Sequence, residues 1–149
     1  MAEFNWTAYT AALAELVAAA DLNSLANDAM VAMADGIEID NGTNRDFYID
    51  VELYLASVDL SAQTNPAVNL YLFRALDGTN YEDDWVNPAK LAAVVPVEPG
   101  SGAQVHRAVY EGILIPPGKF KILPENKTGA AFAASGNTLQ YRAYSEESN

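Results

Sequence analysis

The sequence predicts a mainly β protein, an antiparallel sandwich or barrel of seven or eight short strands behind a short N-terminal arm. Three observations lead there. Residues 47–55 alternate strictly, with Phe47, Ile49, Val51, Leu53 and Leu55 on one parity and Tyr48, Asp50, Glu52 and Tyr54 on the other. Such a strand has one face in a core and the other in water or at an interface. Turn residues recur along the chain at intervals of about ten, the spacing of a sandwich or barrel. Strand-like segments do not alternate with helical ones, so a parallel βαβ architecture is not expected.

The elements follow in order. Residues 7–25 are alanine-rich, and Tyr9, Leu13, Leu16, Val17, Leu22 and Leu25 fall at helical spacings. One such stripe buries little, so residues 1–24 are expected to form a helical or extended arm, with the sandwich in 25–149. From residue 29 the pattern turns to β, first in the apolar 29–34 and then in Ile37–Ile39. Asp35-Gly36 marks a turn, and Asn41-Gly42 predicts a type I′ hairpin into 47–55. Residues 68–76 form the next strand, with Val68, Leu70 and Leu72 opposite Asn69, Tyr71 and Phe73. The parity of Tyr71 and Phe73 suggests either an interface or a second buried face. Asp77-Gly78 ends that strand, and a polar loop runs over 79–88.

The β-branched run 91–97 closes at Pro99-Gly100-Ser101-Gly102. Residues 105–115 are a strand in which Val105, Val109, Ile113 and Ile115 share parity. Pro116-Pro117-Gly118 is a stiff turn, since proline fixes φ and removes donors. Phe120 and Ile122 alternate with Lys119 and Lys121 in the strand after it. Residues 130–134 and 139–144 are expected to pair as a hairpin across Ser135-Gly136-Asn137.

Composition bounds the function. A chain of 149 residues that is half hydrophobic and 19 % charged forms one ordinary domain. The net charge is −12, and residues 1–85 hold 15 of the 20 acids but only two of the eight bases, Arg45 and Arg74. That balance opposes binding to nucleic acid, which needs a cationic surface, and attraction to anionic membranes. The apolar run 11–20 is broken by Glu15 and is too short to span a bilayer. The start of the chain lacks the basic region of a secretory signal. Cysteine is absent, which excludes disulfides and thiol chemistry.

No catalytic constellation stands out, and no cofactor or metal is expected. The one histidine, His106, lies mid-strand and reads as a sheet residue with a backbone or water partner. One histidine cannot furnish a zinc site. The loop acids Asp77, Glu82, Asp83 and Asp84, with Asn80, offer oxygen ligands for calcium, but their spacing fits no EF-hand loop, so they read as a solvated acidic loop. Asp50 and Glu52 share a strand face, which by itself reads as a wet surface. A stable β domain of this kind acts through its surfaces.

Three stretches carry a resemblance. They are Leu70-Tyr-Leu-Phe-Arg-Ala-Leu-Asp-Gly-Thr-Asn-Tyr81, Ile115-Pro-Pro-Gly-Lys-Phe-Lys-Ile-Leu123, and the run from Asn126 through Ser135-Gly-Asn137 to Arg142. Over residues 22–144 the chain resembles small virion structural proteins of tailed bacteriophages, jelly-roll-like β-sandwiches that decorate or cement the capsid. The resemblance implies a non-enzymatic protein on the capsid surface, with the major capsid protein as partner and a homotrimer as its assembly. In that setting Lys119, Lys121 and Lys127 are the expected cationic contacts across subunits or onto the shell. The alternative is a carbohydrate- or receptor-binding module of a phage tail or fibre, with Tyr81 and Trp85 as stacking rings.

Overall fold

The computed structural model describes residues 4–148. It is mainly β, with antiparallel sheets packed as a sandwich. Among the described residues ten strands run in the order β1 (Phe4–Trp6), β2 (Ala14–Val17), β3 (Ile39–Asp40), β4 (Tyr48–Val58), β5 (Ala67–Ala75), β6 (Leu91–Pro96), β7 (Gln104–Leu114), β8 (Lys119–Lys127), β9 (Thr138–Tyr144) and β10 (Glu146–Ser148). One four-stranded sheet has the order β2-β9-β4-β7 and the other β3-β8-β5-β6, while β1 and β10 form a separate ribbon.

The pairing is nested. β5 pairs with β6, β4 with β7, β3 with β8, β2 with β9 and β1 with β10, all antiparallel. The chain is thus one long ribbon doubled back on itself at the 76–90 loop. Folding that ribbon over brings β4 beside β9 and β5 beside β8, which completes the two sheets. Alternating apolar positions of both sheets meet between them. Ile49, Val51, Leu53 and Leu55 of β4 face Val68 and Leu70 of β5, Val95 of β6, and Phe120 and Ile122 of β8 in one core.

Several expectations are corrected here. Of the helical or extended arm expected over 1–24, residues 1–3 lie outside the described residues, 7–13 are irregular, 14–17 are strand, and one helical turn follows, α1 (Ala19–Leu22). Leu16, Val17 and Leu22 are fully buried in the main core, so residues 14–22 are part of the sandwich and not of an arm. Alanine favours helix, but that preference is weak beside tertiary packing, and the vacant edge beside β9 wins. Residues 29–34 hold only an isolated bridge from Met30 to Glu125, followed by a 3-10 turn (Met33–Asp35). Phe47 precedes its strand and is half exposed, unlike the four alternating residues after it.

Asn41-Gly42 does not make a type I′ hairpin. Neither residue has a positive φ, and β3 pairs with β8 rather than β4. The Asn41 side chain is buried instead, where it donates to the carbonyls of Asp46 and Pro116 and accepts from the Asp46 amide. Asn126 and Asn137 do similar work. Asn126 donates to the carbonyls of Leu25 and Ala130, and Asn137 to that of Ala133. The expected terminal hairpin is also absent. Residues 130–134 form no strand, and the Ser135-Gly136-Asn137 turn leads from β8 in one sheet to β9 in the other.

The parity of β7 changes part-way. Val105 and Val109 point outward while His106 is buried and Ala108 and Tyr110 pack on the core. Opposite Ile49 and Val51 of β4, β7 carries one extra residue between Ile113 and Tyr110. Gly112, with φ of +74°, absorbs this bulge, a conformation that needs glycine. Beyond it Ile113 turns inward and is buried. Equal parity of residues 105, 109, 113 and 115 in sequence therefore concealed two faces.

Candidate functional site

Three of the residues singled out in the sequence come together, and the others stand apart. Lys119, Lys121 and Tyr81 meet on the outer face of the β3-β8-β5-β6 sheet. Lys119 pairs with Glu38 at 3.2 Å, and the Tyr81 hydroxyl donates to the same carboxylate at 3.0 Å. Lys121 donates to the Met33 carbonyl at 2.8 Å, and its ammonium sits 5.0 Å from the centre of the Tyr81 ring. The Lys119 ammonium, and then the Tyr81 hydroxyl, hold the Glu38 carboxyl below its ordinary value. Lys127 lies at the far end of β8, paired with Asp28. Trp85 projects from the loop, more than half exposed.

Beneath this network is a second small core. Tyr71, Phe73 and Leu123 are buried together on the outward side of the sheet, under Met30, Met33 and Tyr81. The loop acids hold this cover in place. Asp84 accepts from the Met33 amide at 2.6 Å, and Glu82 pairs with Lys90 at 2.6 Å. Asp77 accepts from the amide and the side chain of Asn80 and from the amide of Thr79, which lowers its carboxyl to about 2. Among the described residues no three His, Cys, Asp or Glu side chains converge as a metal site. His106 lies inside the sandwich, its Nε2 3.2 Å from the Val58 carbonyl.

The outer face of the other sheet is built differently. Strand register sets Tyr48 beside Tyr144 and Asp50 beside Arg142. The Tyr48 and Tyr144 rings stack with centres 5.6 Å apart. Trp6 of β1 stands edge-on to both, at 76° to Tyr48 and 71° to Tyr144, and remains two-thirds exposed. Tyr9 meets Tyr144 edge-on at 5.8 Å.

Asp50 lies at the centre of these rings. Its Oδ2 accepts from the Tyr9 hydroxyl at 2.6 Å, and its Oδ1 accepts from the amide of Gly112 at 2.9 Å. The bulge in β7 thus supplies a backbone donor to Asp50 and presents Glu111 on the outer face. Burial, followed by the charge of Asp50 and a hydrogen bond to it, raises the Tyr144 hydroxyl to about 12. The hydrogen bond to Asp50 is also the main cause of the raised Tyr9 value. Trp6, Thr7, Tyr9, Asp50, Glu111 and Tyr144 line a pocket of about 350 Å³.

Sequence reasoning had the Tyr48–Tyr54 face but missed Trp6, Tyr9, Glu111 and Tyr144. Their meeting depends on the nested pairing of the two chain ends, which local periodicity does not report. The one available signal was Gly112 inside a strand pattern, a frequent mark of a bulge.

No family model, no curated protein and no solved structure matches the chain.

Proposed function

We propose that the protein is a non-enzymatic structural component of a virion that binds the major capsid protein as a homotrimer and decorates or cements the shell. The nested strand order carries this reading. Eight strands, β2 to β9, wound as one doubled ribbon into two four-stranded sheets, support a jelly-roll reading, an architecture common in capsid domains. The turns that carry the sequence resemblance, Pro116-Pro117-Gly118 and Ser135-Gly136-Asn137, stand where the ribbon crosses between sheets.

Contact with the shell is assigned to the outer row of β7. Val105, Val109 and Leu114 are all more than half exposed there, with Arg107 and Glu111 in the same row. Exposed apolar side chains interleaved with charged ones suit an interface. Lys119 and Lys121 support the reading less directly, because their nearest partners are Glu38 and Met33 of their own chain.

The test mixes purified protein with undecorated shells at low and high salt. Saturable binding of trimers, weakened at least tenfold by Val109→Asp with an unchanged melting temperature, is expected. Failure to bind shells at either salt concentration overturns the proposal. The tail or fibre alternative predicts a low copy number per particle and sugar binding lost on Trp85→Ala.

A further inference from the structure

We propose that the pocket between β1, β4, β7 and β9 binds a guanidinium group, the arginine side chain of a partner protein. This rests on the pocket alone and is independent of the virion reading. Four observations carry it.

First, the pocket offers acceptors. The carboxylates of Asp50 and Glu111 belong to its lining, beside the Tyr9 hydroxyl, which gives its own proton to Asp50. A guanidinium is a donor without acceptors, the complement of such a lining. Second, both acids lack cations. Among the described residues no Lys or Arg nitrogen lies within 4 Å of Asp50 or Glu111, and the four ion pairs present lie elsewhere. Arg142, opposite Asp50 in the register, is diverted: its guanidinium lies 4.3 Å from the centre of the Tyr9 ring, and its Nε donates to the Ala11 carbonyl at 3.1 Å.

Third, three of the lining residues, Trp6, Tyr9 and Tyr144, are aromatic. Planar, weakly hydrated guanidinium stacks on aromatic rings better than ammonium does. The packing of Arg142 on Tyr9 shows this contact in the protein itself. Fourth, a volume of about 350 Å³ fits one side-chain head and not a folded element.

The bulge explains why the site lies here. Without the extra residue at Gly112, Glu111 and Ile113 would share a parity, and Ile113 is buried. The bulge lets Ile113 enter the core while Glu111 lines the pocket.

The test uses Trp85→Phe, which leaves Trp6 as the sole tryptophan. Its fluorescence is followed during titration with ethylguanidinium, ethylammonium, methyl glucoside and a Gly-Arg-Gly peptide. The expected result is saturation by ethylguanidinium and by the peptide, with constants on the order of millimolar, typical of one small group. Ethylammonium should bind more weakly and the glucoside not at all. Glu111→Gln, isosteric at an exposed position, should weaken guanidinium binding about fivefold, the size of an exposed ion pair. Its melting temperature should stay unchanged. No saturation by ethylguanidinium, the same constant in Glu111→Gln, or tighter binding of the glucoside each overturns the proposal. Equal binding of both cations overturns the guanidinium assignment. Binding of ethylguanidinium but not of the peptide overturns the arginine side chain as its source.

Discussion

The two outer faces of the sandwich start from similar patterns and end differently. On the β3-β8-β5-β6 sheet, Tyr71 and Phe73 of β5 are buried with Leu123 of β8 under residues 30–37 and the Tyr81 loop. On the β2-β9-β4-β7 sheet, Tyr48, Asp50, Glu52 and Tyr54 of β4 remain partly open to solvent, and aromatic rings gather around one carboxylate. A strand alternating in polarity reports only that its faces differ. Whether its second face is covered depends on chain lying elsewhere. Here the covered face gains stability, and the open face keeps a pocket.

The sharpest way to break this contrast is to remove one ring from each face. Phe73→Ala should cost about 3–5 kcal/mol, the range for a buried aromatic, whereas Tyr54→Ala should cost roughly 1 kcal/mol or less, as surface changes do. Urea denaturation of both variants measures the difference. A cost below 1 kcal/mol for Phe73→Ala would mean that the second cluster is not a core.

The cover itself is tested at Gly36. A Cβ added there would lie 2.5 Å from Cδ2 of Leu123. Gly36→Ala should therefore destabilise by about 1–3 kcal/mol through overpacking, and Leu123→Ala on the same background should mask much of that clash. Additive costs in the double variant would show that the two do not press on each other. On the open face, Gly112→Ala should cost about 1–2 kcal/mol, since its left-handed φ is strained for any residue with a Cβ. It should also disturb Tyr9 and Tyr144 resonances, as its amide holds Asp50.

The smallest effects are electrostatic and separate the faces by pH. Tyr144 has its hydroxyl raised from 10.0 to about 12, so the folded state retains a proton that the unfolded chain releases. That stability is complete below pH 10 and falls as pH rises towards 12. Tyr144→Phe should flatten this part of the alkaline stability profile. Glu38 behaves oppositely. Its lowered value means stability present above its ordinary 4.5 and lost as pH falls through the folded value. Glu38→Gln should therefore soften the acid limb by a small amount, because the pair with Lys119 is largely solvated. An unchanged acid limb would remove Glu38 from the latch on the covered face.

Much of the fold was legible in the sequence. The alternation of 47–55, the turn at Asp77-Gly78 and the run after Pro116-Pro117-Gly118 each mark a strand or its end. Those signals are local, set by side-chain parity and backbone stiffness. Residues 7–25 misled because the helix preference of alanine is weak beside tertiary packing, and the edge open beside β9 overrode it. Asn41-Gly42 misled because the Asn41 side chain found three backbone partners across the turn, one of them on Pro116. The pocket was the least legible part. Its rings come from both ends of the chain, and its bulge inverts a parity that reads as continuous.

The nested pairing also orders events in time. The 76–90 loop is the tip of the ribbon, and each successive pair must close a longer stretch of chain, until Phe4 meets Ser148. Distant pairing is entropically slow, and β-sandwiches as a class fold on the millisecond-to-second scale. If zippering starts at the tip, the β1–β10 ribbon closes last, and Trp6 reaches Tyr48 and Tyr144 only then. The indole that walls the pocket is thus a clock for the closing of that ribbon, and a nascent chain holds no complete pocket until β10 has left the ribosome.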